Sequence, residues 1–188
     1  MSVIDLIHNI YVPNIIVKTE EHPSFGRTIS LKETASQAKT KKITIKNVPE
    51  TCLAIKLDGF IPKNSFLLGR KGELSRCDYI LIAEDKHNCF LFYIELKSKK
   101  TNNASKQFRS SVCLMEYCEA LAVEFHQDHI MCPDIIQRFV VFQRKPCVKR
   151  PINYSPHDWK NNTSDRFQRI YLTGSENLIS FRELSNGC

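Results

Sequence analysis

The chain contains no Cys-x-x-Cys pair, although it has eight cysteines, at positions 52, 77, 89, 113, 118, 132, 147 and 188. That spacing argues against a zinc ribbon or a redox motif, and we expect reduced thiols serving as small apolar residues. The alternatives are a structural zinc or iron–sulphur site on Cys132, Cys147 and Cys188, or zinc held by His126, His129 and Cys132 on a shared helical face. Long apolar runs are also missing. The stretches around Ile80–Ala83 and Phe90–Ile94 are far too short to span a bilayer. The first residues, Met1-Ser-Val-Ile-Asp-Leu-Ile-His, carry an acid and lack the basic start of a signal peptide, so we expect a soluble, cytoplasmic protein without a membrane partner. No Gly-x-x-x-x-Gly-Lys phosphate loop is present, which leaves any use of ATP to a partner. There is no internal repeat, no Gly/Ser linker and no segment biased enough to argue for long disorder.

What is present suits one compact domain. The 188 residues are 42% apolar, enough for a real core but cramped for two. A net charge of +7 and a pI near 9.0 favour a polyanionic partner, because each neutralised phosphate releases condensed counterions.

Apolar stretches at Ile4–Ile10 and Val12–Val17 are interrupted by Pro13 and followed by Pro23. Thr28–Lys42 reads as a helix carrying Glu33, with weak periodicity. Lys42–Val48 alternates as a strand, and Cys52–Leu57 reads as another. Asp58-Gly59 and Pro62-Lys-Asn64 are turn signals. Cys77–Ala83 and Phe90–Lys97 form two β-rich runs around Glu84-Asp-Lys-His-Asn88, and so predict a hairpin. Residues 104–126 predict the best helix, with an apolar stripe through Phe108, Val112, Met115, Cys118, Ala122 and Phe125. Strands follow at Arg138–Gln143 and Arg169–Leu172, separated by a basic, Pro-containing loop (Lys145–Lys160), and Ser175 is expected to cap a terminal helix. The order predicts an α/β fold, a mixed sheet with helices packed against it.

Chemistry concentrates on Glu95-Leu96-Lys97 at the end of a strand, with Asp78 on the strand before. Side chains alternate along a strand, so Glu95 and Lys97 share one face while Ile94 and Leu96 take the other. A hairpin closing about Lys86-His87 pairs residues whose numbers sum to about 173, which sets Asp78 opposite Glu95, with Cβ atoms about 5 Å apart. Opposed carboxylates repel, and a divalent cation between them is the natural remedy. Hard oxygen ligands suit Mg²⁺ or Mn²⁺. An ammonium alongside would orient water or stabilise charge on a phosphate. The competing reading is an Asp–Lys–Glu ion cluster at a strand end. A second Glu-x-Lys, Glu84-Asp-Lys86, reads as a solvated turn.

Asp78, sixteen intervening residues, then Glu95-Leu96-Lys97 followed by a helix, resembles the PD-(D/E)xK, or restriction-endonuclease-like, nuclease superfamily over about residues 70–125. Cys77 stands where the name-giving proline would. The resemblance implies a mixed central sheet flanked by helices. It also implies one nuclease-like domain over 1–188, with a catalytic core at about 40–145 and a basic loop, strand and helix at 146–188. Asp78 and Glu95 would be metal ligands and Lys97 would sit near the attacking water. An upstream acid completes many such sites, with Glu33 the candidate and Glu73 the rival. Gln107, at the start of the following helix, matches a Gln that several branches place beside the site.

Lys99, Lys100, Lys106 and Arg109 cluster at that helix start, where they would grip phosphates. A second patch is Arg144, Lys145, Lys149 and Arg150, with Tyr154 and Trp159 available for stacking on bases. The expected function is Mg²⁺-dependent hydrolysis of nucleic acid, DNA rather than RNA, as a subunit or effector of a larger DNA-processing or defence system. The partner would be a second copy or an ATPase or recognition subunit. The alternative is a module of the same fold that binds nucleic acid or assembles without cutting.

Overall fold

A computed structural model describes residues 3–11, 13–33, 42–57, 70–86, 88–97, 103–144, 161–172 and 177–185. Helix α1 (Val3–Ile10) and a single 3-10 turn (Pro13–Ile15) lead into β1 (Ile16–Val17), β2 (Glu20–His22), β3 (Gly26–Lys32), β4 (Lys42–Lys46) and β5 (Thr51–Lys56). Next come β6 (Tyr79–Glu84), β7 (Cys89–Lys97), α2 (Ala104–His126), β8 (Ile136–Arg144), β9 (Gln168–Leu172), β10 (Leu178–Ser180) and α3 (Phe181–Ser185).

The strands form two mixed sheets, ordered β1-β5-β6-β7-β8-β9 and β10-β4-β3-β2. In the larger, β5, β6 and β7 run antiparallel, whereas β7, β8 and β9 are parallel. The parallel step from β7 to β8 needs a crossover, and α2 supplies it. Strand alternation sends Leu81, Phe92 and Ile94 to one face and Ile80, Tyr93 and Val141 to the other, so each face has its own core. On the second face Leu6 and Ile7 of α1 and Ala104, Phe108 and Met115 of α2 close the layer. The first is covered by Ile29, Leu31, Ile43 and Ile45 of the small sheet and by Phe181 and Leu184 of α3.

The expectation is a mixed central sheet flanked by helices. The mixed α/β character stands, but one flank is largely a second sheet. The helix expected over Thr28–Lys42 is part of that difference. Its described portion is strand β3, where Ile29 and Leu31 alternate inward and a period of two prevails over the weak helical one; residues 34–41 lie outside the described residues.

The hairpin holds the expected register, with Tyr79 opposite Ile94 and Glu84 opposite Cys89. Its turn is closed by the Asp85 N–H donating to the Asn88 carbonyl (3.0 Å) and the Asn88 N–H to Asp85 Oδ1 (2.9 Å), as the solvated-turn reading of the second Glu-x-Lys requires. Helix α2 spans the expected residues, but its stripe ends early. Phe125 is 73% exposed, because the returning loop carries Ile130 into the core in its place. Glu119 fixes that loop, accepting from the N–H groups of Ile130 (2.8 Å) and Met131 (3.0 Å) and contacting His129 Nδ1 (2.6 Å).

At the C-terminus the additional strand β10 pairs with β4. Ser180 stands at the start of α3, where its N–H donates to Glu183 Oε2 at 2.7 Å, the backward half of a capping box. Ser175, the expected cap, lies outside the described residues. Cys52, Cys77, Cys113 and Cys118 are free thiols, but Cys89 and Cys132 are joined as a disulfide, which corrects the expectation that every thiol is reduced. Cys147 and Cys188 fall outside the described residues. Among the described residues no helix is long and apolar enough to cross a membrane.

Candidate active site

The site lies where β6 begins and β7 ends, at the opposite end of the hairpin from its turn. Glu95 points to the α2 side of the sheet and is 1% exposed. Its Oε1 accepts from the Gln107 side-chain amide at 2.9 Å and is ion-paired with the Lys97 ammonium; its Oε2 is enclosed without a partner. Asp78 precedes β6 and continues its register, and its Oδ2 accepts from the Leu96 N–H at 2.5 Å. The two carboxylates therefore converge at one strand end, as the sequence predicts.

Local structure explains this placement. The buried hydroxyl of Ser111 donates to the Gln107 carbonyl (2.8 Å) and accepts from the Cys77 N–H (2.9 Å), which ties the residue before Asp78 to α2. Gln107 also donates to the Arg76 carbonyl at 3.0 Å, so one amide spans the incoming chain and Glu95. Its own Oε1 is buried and unpartnered. On the other side, Tyr79 is enclosed, and its hydroxyl donates to the Lys32 carbonyl (2.6 Å) and accepts from the Lys32 N–H (3.0 Å). Glu33 is the next residue, and its charge acts on Asp78.

The acids sit in an environment hostile to full ionisation. Asp78 is pushed up to about 8, first by burial and then by the charges of Glu95 and Glu33, against the opposing Leu96 N–H and Lys97. Glu95 is raised as well, by burial, with Lys97, Gln107 and the Asp78 backbone N–H working against the shift. Lys97 brings one positive charge to the pair, and a bound divalent cation would neutralise it further without protonation.

Of the expected residues, Asp78, Glu95, Lys97 and Gln107 converge, and Glu33 joins them from the end of strand β3 rather than from a helix. Glu73 does not; its exposed carboxylate folds back onto the Lys71 N–H at 2.8 Å. Arg109 is bridged to Asp165 at 2.5 Å, so its charge is already partly matched, whereas Lys106 remains exposed in the first turns of α2. Lys99, Lys100, Lys145, Lys149, Arg150, Tyr154 and Trp159 lie outside the described residues, as does the side chain of Arg144. Of the residues in the zinc alternatives, His129 contacts Glu119 and Cys132 is bonded to Cys89. Among the described residues no group of three or more His, Cys, Asp or Glu is gathered around a metal position, at Asp78 and Glu95 or elsewhere.

Sequence reasoning missed Tyr79, Ser111 and Arg76. Tyr79 carried a usable signal: a tyrosine beginning an aliphatic strand needs a partner for its hydroxyl once buried. Ser111 had none, since a single serine on a helix is ordinary.

The donor set fits a hard divalent ion. Mg²⁺ and Mn²⁺ need few protein ligands and keep waters or substrate oxygens in the remaining positions. Asp78 and Glu95 supply two carboxylates, and Glu95 Oε2 and Gln107 Oε1 are enclosed acceptors that lack a donor. Set against protein-family models, curated proteins and solved structures, the chain finds no match in any of the three.

Proposed function

We propose that the chain is a metal-dependent nuclease that hydrolyses phosphodiester bonds, with DNA as its substrate. One observation carries the reading: Asp78 and Glu95 converge at a strand end with one Glu95 oxygen enclosed and unpartnered, and Lys97 stands at the same carboxylate. Asp78 and Glu95 would hold Mg²⁺ or Mn²⁺, which supplies Lewis-acid activation of water and neutralises charge on the phosphate. Gln107 fixes the carboxylate plane of Glu95. Lys97 presents its ammonium to the attacking water or to the phosphate oxygen that gains charge as the phosphorus–oxygen bond breaks. Glu33 adds a third negative group on the Asp78 side. Recognition of a particular site, and any ATP-driven step, would belong to a second copy or a partner subunit.

One observation favours a second reading. Lys97 is paired directly with Glu95, as a purely structural ion cluster in a non-cleaving binding module would have it. Incubation with labelled linear and circular DNA and RNA, with and without Mg²⁺ and beside a Glu95→Ala control, separates the two. Cleavage that needs both the metal and Glu95 supports the nuclease. Metal-independent cleavage, or none, overturns it.

A further inference from the structure

Among the described residues no carboxylate answers the charge of Arg76. Its Nη1 donates to the carbonyls of Glu73 (2.8 Å) and Ser75 (2.6 Å) and to the Ser110 hydroxyl, while its Nε is buried without a partner. A partly desolvated guanidinium without a counter-ion is costly and calls for an anion.

The surroundings supply further positive charge. The Ser110 hydroxyl donates to the Glu73 carbonyl at 2.8 Å, so the 70–76 loop is fastened along the first turns of α2. Gly72 takes φ +108°, and a Cβ there would meet the Lys106 side chain at 3.4 Å, so the loop runs close against Lys106. Arg70, Lys71 and Lys106 are exposed. Against these four cations the loop offers a single acid, Glu73, turned onto its own backbone. The Arg76 carbonyl receives the same Gln107 amide that holds Glu95, so this patch adjoins the candidate site.

We propose that Arg76, Lys71 and Lys106 form a second anion site, which takes a backbone phosphate of the bound strand beside the one to be cut. The proposal rests on the nuclease reading for its location, but binding alone tests it. Fluorescence anisotropy with labelled single- and double-stranded DNA, in Ca²⁺ and across a salt series, measures the affinity. The Lys71→Glu/Lys106→Glu double variant should weaken binding about tenfold or more, and its salt slope should fall by about one for every phosphate that is no longer held. Arg76→Gln should weaken binding in the same direction, and Arg76→Lys should restore part of it. Should Arg76→Gln fail to fold, the double variant carries the test, since its residues are exposed. Affinity and slope unchanged from wild type in the double variant would overturn the anion site, as would a wild-type protein that binds no DNA. Wild-type binding with this dependence but without Mg²⁺-dependent cutting leaves the anion site standing and removes the nuclease reading; cutting with unchanged variant affinity does the reverse.

Discussion

The side-chain amide of Gln107 donates to Glu95 Oε1 at 2.9 Å and leaves Oε2 enclosed and unpartnered. The carboxylate is therefore aimed by a helix residue twelve positions away in sequence. A buried acceptor without a donor costs about 1–3 kcal/mol, a cost that persists because something else meets it or because function requires it.

Removing either opposed acid should abolish cleavage without harming the fold. Above pH 8, where Asp78 is ionised, Asp78→Ala and Glu95→Ala each relieve the repulsion between the two acids in the metal-free protein, so the melting temperature should hold or rise there. The stabilisation gained on adding Mg²⁺ should shrink, since a ligand stabilises only in proportion to its binding. Full activity in either variant would refute the assignment of that residue.

Stability of the metal-free protein should depend on pH with a definite sign. Asp78 and Glu95 are raised above their unfolded values, so the folded chain holds these protons more tightly than the unfolded one. Their favourable contribution is complete below the ordinary carboxylate value, about 4, and declines as pH rises until Asp78 ionises near 8. Denaturant titrations from pH 4 to 8 should show this decline, and Asp78→Asn should flatten it. An equal slope in that variant would place the titration elsewhere.

Lys97→Ala tells a catalytic role of this ammonium from a purely structural one. If its ammonium acts on the water or the phosphate, Lys97→Ala should cut the single-turnover rate about a hundredfold or more while affinity in Ca²⁺ barely changes. If it is only the counter-ion of Glu95, cleavage should persist, and the variant should lose stability steeply between pH 5 and 8.

The upstream acid can be identified directly. Glu33→Gln should lower both the cleavage rate and Mg²⁺ affinity, because Glu33 acts on Asp78, whereas Glu73→Gln should leave metal affinity as it was. Measuring Mg²⁺ dependence in both variants decides it, and equal behaviour would remove Glu33 from the site.

The sequence displayed the hairpin and α2 plainly, because both obey a local period. The alternation of Phe90–Lys97 and the stripe from Phe108 to Ala122 each match one geometry, and the register of Tyr79 with Ile94 followed from turn closure alone. The acid pair, Lys97 and Gln107 were legible for that reason. The small sheet was not, since β10 joins β4 across more than a hundred residues and no local pattern encodes such a pairing. Glu33 lies near enough for its charge to act on Asp78, but it follows a strand instead of sitting on the expected helix, since Ile29 and Leu31 alternate over too short a stretch to outweigh a weak helical pattern. Arg76 escaped notice because a lone arginine in a loop has no periodicity.

Tyr79 bonds both ways to the Lys32 backbone, and so joins β6 of the large sheet to the end of β3 in the small one. Side chains such as Leu31, Ile43, Leu81 and Phe92 pack the sheets together, but apolar packing is non-directional and does not fix how far one layer has slid along the other. The tyrosine acts as a dowel between them. Because Glu33 rides on one layer and Asp78 on the other, the gap between these acids measures the alignment of the sheets. A substitution that shifts the small sheet therefore retunes the candidate site while every residue of the hairpin keeps its place.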